Sequence, residues 1–310
     1  MKGATAEERS GTREVSAPSA GPAEHAERRT DDACLNCGAR LTGPYCASCG
    51  QKDLHTDPTF RELLHDTAQE LTHWEGKLPS TLKALLLRPG LLTVDFLAGR
   101  RARWIPPLRL YLICSIAFFV SKPLVEAITH RSAREVAQIT ITNPDGSTGL
   151  TPEGRRRIEE GLPGRIFGAE RLERAAANSR GLNRAIDSAF PKAMFVLLPL
   201  FALLTNVAWR RTMPRYPAHL YAALHLHAAW FGVLALCTVA TVVAPSDEVA
   251  LVIGLAGLAY VVWYALAAVH RIFGDSWAKT IAKAAGVAAV YSACLGLVSL
   301  AMLGYALLTM

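Results

Sequence analysis

Five long runs of apolar residues, almost free of charged side chains, occupy the C-terminal two-thirds of the chain. They lie at residues 108–128, 193–208, 218–244, 249–269 and 284–310. A helix of about 20 apolar residues is long enough to cross the hydrocarbon layer of a membrane. A segment inside that layer must satisfy its own backbone hydrogen bonds, and a helix does so. The runs therefore predict an all-α polytopic membrane protein with about five transmembrane helices.

The distribution of charge predicts an orientation for these spans. Arginines cluster before the first run and between the second and third. Arg271, Lys279 and Lys283 lie between the fourth and fifth, whereas Asp247 and Glu248 are the only charges between the third and fourth. Lys and Arg are retained on the cytoplasmic side. We therefore expect a multi-pass protein of the inner (plasma) membrane with a cytoplasmic N-terminus and an extracytoplasmic C-terminus. The formal charge of +7 is explained in this way, so we do not expect the chain to bind nucleic acid.

Two Cys-x-x-Cys-Gly motifs precede the spans, with Cys34 and Cys37 in the first and Cys46 and Cys49 in the second. Paired motifs at this separation are typical of tetrahedral thiolate zinc sites. Two disulfides and a redox-active Cys-x-x-Cys are the competing interpretations. A set of four cysteines leaves no open coordination position, which favours a structural Zn²⁺ over a catalytic one. We therefore predict a zinc ribbon at 33–52, facing a reducing cytosol.

The segments around the ribbon divide by composition. Residues 1–32 have almost no large apolar side chains, which predicts a disordered tail. Residues 57–99 show apolar side chains at helical spacing and predict amphipathic helices, which either lie at the membrane surface, pack against the cytoplasmic ends of the spans, or form a small soluble bundle. Residues 129–190 predict an extracytoplasmic loop or subdomain, with strand-like alternation at 138–142 and a turn after it.

A cluster of polar residues opens the third span and continues after the fourth. It comprises Tyr216, His219, His225, His227 and His270. Ionisable side chains at membrane depth are costly and are functional candidates by default. The more favoured interpretation is that they form hydrogen bonds between helices. The alternative is a proton or metal relay that includes His219, His227 and His270.

Several enzyme motifs are missing from the sequence. It contains no His-Glu-x-x-His, no Gly-x-Ser-x-Gly and no glycine-rich phosphate loop. A non-enzymatic role is therefore favoured over an enzymatic one.

Four motifs in this order resemble an uncharacterised family of bacterial membrane proteins, a domain of unknown function. The motifs are the ribbon from Cys34 to Gln51, a Leu-x-x-Arg-Pro-Gly segment from Thr81 to Gly90, a Gly-x-Arg…Pro…Tyr segment from Phe96 to Tyr111, and the histidines from His219 to His227. The resemblance covers most of the chain outside the tail and the external loop. It implies the same architecture and carries no assigned reaction.

These observations lead to three functional hypotheses. The first is a docking or regulatory protein that contacts the lipid bilayer and uses the ribbon to bind a protein partner. The second is a transporter or channel for a small solute or metal, lined by the histidines of the third span. The third, a membrane enzyme acting on lipid, is ranked last because no nucleophile or carboxylate partner accompanies the histidines.

Overall fold

The computed structural model describes residues 33–52, 76–129 and 179–309, together with positions 156, 160, 161 and 168. The predicted disordered tail, the first part of the amphipathic region (57–75) and the strand-like stretch at 138–142 lie outside the described residues.

Seven α-helices form the described part, two short ones followed by five long ones. They are α1 (Leu78–Leu87), α2 (Leu91–Leu97), α3 (Pro107–Thr129), α4 (Ser179–Trp209), α5 (Tyr216–Ala240), α6 (Asp247–Phe273) and α7 (Trp277–Thr309). Each of α3 to α7 is long and apolar enough to cross a membrane. The described residues contain no strand beyond isolated bridges in the ribbon. The predicted all-α fold with five spans is therefore confirmed.

Two of the long helices begin earlier than the hydrophobic pattern indicates. Helix α4 starts at Ser179, inside the predicted loop 129–190, and α7 starts at Trp277 rather than at residue 284. The apolar pattern identifies only the part of a helix that can lie in the hydrocarbon layer of a membrane. The backbone hydrogen bonds continue beyond it, and in α7 they include two turns that carry Lys279 and Lys283.

Helix α5 lies at the centre of the bundle and packs against α3, α4 and α6. Much of its surface is buried, including Ala223, Ala228 and Ala229, which are almost completely inaccessible. Small residues at such positions allow neighbouring helix backbones to approach closely. Helices α6 and α7 are much more exposed along their length.

Helices α1 and α2 form a hairpin that packs against α5 and α6. The turn at Gly90 has a φ of 72°, and a Cβ atom at this position would lie 2.9 Å from the carbonyl oxygen of Ala268. The Leu86 side chain lies against Gly232, which is sixteen residues, about 24 Å, along α5 from Tyr216. The hairpin therefore packs against the spans, and the end of α1 reaches between them.

Tyrosines of α6 satisfy the carbonyl groups at the end of α1. The Tyr264 hydroxyl donates to the carbonyl of Leu85 at 2.6 Å, and the Tyr260 hydroxyl donates to that of Leu86. The last carbonyls of a helix have no partner within the helix, and an unsatisfied carbonyl in an apolar environment costs several kcal/mol. These two hydroxyls are what allow a helix to end inside the bundle.

Candidate functional site

The four ribbon cysteines converge on one point. Their Sγ atoms all lie within 4.8 Å of one another, with 3.6 Å between Cys34 and Cys49 and 3.5 Å between Cys37 and Cys46. A tetrahedral zinc ion with Zn–S bonds of about 2.3 Å holds its sulfurs about 3.8 Å apart. The donor set therefore fits a metal ion bound by four thiolates. Within the described residues, no other group of three or more His, Cys, Asp or Glu side chains is placed to hold a metal ion.

The backbone turns sharply after each pair of cysteines. Gly38 and Gly50 have φ angles of 76° and 72°, a region in which glycine avoids a steric penalty. Their N–H groups donate at 2.8 Å to the carbonyls of Cys34 and Cys46, respectively. One antiparallel bridge then closes each loop, Ala33 with Arg40 and Tyr45 with Lys52.

Backbone amides beyond the glycines act directly on the thiols. The amide of Gln51 lowers the pKa of Cys49 to about 6. The amide of Ala39 also lowers the pKa of Cys37, but hydrogen bonds with Cys46 and the other thiols, together with burial, raise it to about 11. The backbone amides therefore favour the thiolate form that a metal ligand requires, and the contacts among the thiols oppose it at Cys37.

Gln51 attaches the ribbon to the segment that leads into α3. Its side chain is 9% exposed. Its Nε2 donates to the Gly99 carbonyl at 2.7 Å, and its Oε1 accepts from the backbone N–H groups of Arg101 and Ala102, each at 3.0 Å. The Leu35 side chain lies over Gly99, so close that a Cβ atom there would clash with it. The ribbon is thus held on the spans by three hydrogen bonds through one side chain.

Asp95 holds the same segment from the side of α2. It is 5% exposed and accepts from Arg100 Nη2 at 2.7 Å and from Trp104 Nε1 at 2.8 Å. Arg103 Nη1 lies 4.0 Å from Oδ2, the oxygen that also accepts from Trp104. A buried carboxylate is stable only when it is paired and hydrogen-bonded, so these contacts keep the segment between ribbon and spans in one conformation.

The sequence names Gln51 only as the last residue of the ribbon motif, and it gives Asp95 no role. Two signals were available: Gln51 follows directly on the second cysteine motif, and Asp95 is the one charged residue of an otherwise apolar short helix. Neither signal identifies the partner, because Gln51 and Gly99 are 48 residues apart.

The buried histidines of α5 each contact a different neighbour. His225 Nδ1 lies 3.0 Å from the hydroxyl of Thr93 in α2. His227 Nε2 lies 3.1 Å from the hydroxyl of Tyr291 in α7, and its Nδ1 lies 2.8 Å from the carbonyl of Ala223. These contacts connect α5 to the hairpin and to the last span.

The remaining candidates lie near the ends of the helices. His219 Nε2 is 2.8 Å from the Met213 carbonyl, His270 stacks on Trp277 at 4.0 Å, and the Tyr216 hydroxyl donates to the Pro199 carbonyl at 3.1 Å. The structure therefore places the five polar candidates at separate contacts and does not bring them together at one site.

The family model described as Protein of unknown function (DUF3667) matches residues 75–119. This match confirms the resemblance noted in the sequence. It covers the α1–α2 hairpin, the segment held by Gln51 and Asp95, and the first half of α3, whereas the ribbon and the histidines lie outside the match. No curated protein and no solved structure matches the chain.

Proposed function

We propose that this protein is a membrane-anchored docking protein whose ribbon holds a structural zinc ion and binds a protein partner. The ribbon would face the cytoplasm from the inner membrane, with the C-terminus on the other side. The asymmetry of basic residues along the chain supports this orientation.

Zinc is proposed because of the chemistry of the ligands. Four thiolates in a closed tetrahedral set match structural zinc sites. The ribbon is a segment of only about twenty residues with two buried cysteines and no strand of its own. A fragment of this size obtains its folding free energy from the metal.

The observation that carries the docking proposal is that the ribbon is both attached and exposed. It is attached to the segment before α3 through the buried Gln51 side chain. It also presents Tyr45, a large side chain that is 59% exposed. Tyrosines are enriched at protein interfaces, because the ring supplies contact area and the hydroxyl a hydrogen bond. A ribbon that is attached to the membrane part and exposes an aromatic side chain could bind a protein partner and hold it at the membrane.

A photo-crosslinking amino acid at Tyr45 in the full chain, expressed in its native membrane, tests this proposal. We expect one defined protein adduct, which disappears when Cys34→Ser/Cys37→Ser is added. The matched control places the same group at Tyr305, which is 70% exposed near the opposite end of α7. The proposal fails if the Tyr45 and Tyr305 positions give the same adducts, or if the adduct survives loss of the cysteines.

The second candidate function is passage of a small solute or metal through the bundle. It is favoured by three buried imidazole nitrogens without a hydrogen-bond partner in the described residues: Nδ1 of His219, Nε2 of His225 and Nδ1 of His270. Flux of radioactive zinc into vesicles that contain the purified protein tests it. Flux that is lost in His225→Gln and retained in Tyr45→Ala would favour this function over docking.

A further inference from the structure

One end of the bundle is strongly basic. The chain segments at this end are joined by hydrogen bonds, such as those of Arg271 with the Pro89 carbonyl and of Trp209 with Asp275. The described residues there (33–52, 76–111, 204–219 and 268–284) contain fifteen Lys and Arg side chains and two acids. We call this surface the basic face.

Both acids of the basic face are already paired. Asp95 is buried against Arg100 and Trp104, as described above. Asp275 Oδ2 accepts from Lys283 Nζ at 2.7 Å and from Trp209 Nε1 at 3.0 Å, and its side chain is 14% exposed. Both carboxylates are engaged by these partners, and the bases outnumber them, so the face carries a net positive charge.

The exposed bases form two groups. Arg210 and Arg211 follow the end of α4, and Lys279 lies in the first turn of α7; all three are exposed. The Trp209–Asp275 hydrogen bond holds these two chain segments next to each other. Three positive charges are therefore displayed at the junction of α4 and α7.

The second group surrounds the hairpin turn. Arg271 Nη1 donates to the Pro89 carbonyl at 3.0 Å, which fixes its guanidinium group next to the turn. Arg88 precedes Pro89 in the chain, and Lys83 lies on α1; both are exposed. This group is built by the same hairpin that the family model matches.

An exposed apolar side chain accompanies the first group. Trp277, two residues before Lys279, is 50% exposed. Tryptophan beside Lys and Arg at the end of a span is typical of the headgroup layer of a membrane. An acidic protein would complement the charges, but it would leave the exposed apolar surface in contact with lipid rather than with the partner. The combination favours a lipid partner.

We propose that the basic face binds anionic phospholipid, with Arg210, Arg211 and Lys279 contacting the phosphate groups at one site and Arg88 and Arg271 at another. Each Lys or Arg near a charged membrane surface contributes roughly a fivefold gain in affinity. Loss of three of them should therefore weaken binding by about two orders of magnitude at low ionic strength.

Native mass spectrometry of the full chain in detergent, titrated with phosphatidylglycerol or phosphatidylcholine, tests this proposal. We expect tighter binding of phosphatidylglycerol, and a large loss in Arg210→Gln/Arg211→Gln/Lys279→Gln. The matched control is Lys122→Gln/Lys192→Gln, which removes positive charge near the other end of the apolar parts of α3 and α4. If the triple variant unfolds, Lys83→Gln/Arg88→Gln provides the same comparison at the hairpin.

Four results would overturn the proposal. Equal affinity for the two lipids would show that headgroup charge is not recognised, and equal loss in the basic-face and control variants would show that the face is not the site. Displacement of the lipid by millimolar inorganic phosphate would assign the site to free phosphate. Displacement by poly-glutamate at lower concentration than by phosphatidylglycerol would assign it to an acidic protein.

Discussion

Gln51 and Gly99 are joined by a hydrogen bond of 2.7 Å from the side-chain amide to the backbone carbonyl. The oxygen of the same amide accepts from two further backbone N–H groups. This side chain therefore supplies three of the hydrogen bonds that connect the metal-binding part of the chain to the membrane part, beside the one from Arg103 Nη2 to the Asn36 carbonyl at 3.3 Å.

Replacement of Gln51 by Ala should release the ribbon from the spans and leave its metal in place. Loss of a buried partner leaves the Gly99 carbonyl and two N–H groups unsatisfied, at a cost of about 1–3 kcal/mol each where water cannot reach them. Hydrogen exchange at residues 99–102 should accelerate in Gln51→Ala and stay unchanged in Lys52→Ala, which alters an exposed neighbour. Loss of zinc from Gln51→Ala would contradict this separation of roles.

Purified wild-type protein should contain one zinc ion per chain, and Cys34→Ser/Cys37→Ser should contain none. The reason is that no second cluster of three or more metal-binding side chains occurs within the described residues. Elemental analysis measures the ratio, and Cys237→Ser/Cys294→Ser is the control for loss of thiols elsewhere. A second ion that survives the ribbon substitution would place metal at another site and favour the transport hypothesis.

Substitution of Gly90 by Ala should destabilise the bundle more than substitution of Gly274 by Ala. Both glycines have positive φ angles, 72° and 69°, and a non-glycine residue in this region costs about 1–2 kcal/mol. Only at Gly90 would the added Cβ also press on a backbone atom, the Ala268 oxygen at 2.9 Å. Thermal unfolding in detergent compares the two variants, and equal losses would show that the hairpin can move away from α6.

The contribution of Asp275 to stability should depend on pH. Its hydrogen bond with Lys283 lowers the pKa of Asp275, so the folded state favours the carboxylate. This stabilisation is present above the unfolded-state pKa of about 4 and is lost as the pH falls through the lower folded-state value. Wild type should therefore melt above Asp275→Asn at pH 7, and the difference should shrink as the pH falls below the unfolded-state pKa of about 4. A constant difference across this range would exclude the ionised carboxylate as the cause.

The features that the sequence predicted well are those that depend only on residues close together in the chain. The Cys-x-x-Cys-Gly spacing places four thiols together because each loop is closed locally, and twenty apolar residues are enough to define a span. The bonds that hold the parts together are not local. Thr93 and His225 are 132 residues apart, and the sequence around either residue does not indicate that the two form a hydrogen bond. The histidines were therefore recognised as unusual, but their separate partners could be found only from the fold.

The hairpin also sets an order for biosynthesis. The Leu85 carbonyl accepts from Tyr264, which lies 179 residues later in the chain. Synthesis of this stretch takes roughly 10–35 s at ordinary translation rates. During that interval the tyrosine hydroxyls of α6 have not been synthesised, so the carbonyls at the end of α1 lack these hydrogen-bond donors inside the membrane. We therefore expect the hairpin to remain in water, with the ribbon attached to it, until the fourth span has been inserted, so that its insertion is a late event of assembly. A cysteine introduced at Thr93 should react with a water-soluble maleimide in chains stalled at residue 245 and be protected in the full chain. Protection in the stalled chain would show that the hairpin enters the membrane before α6.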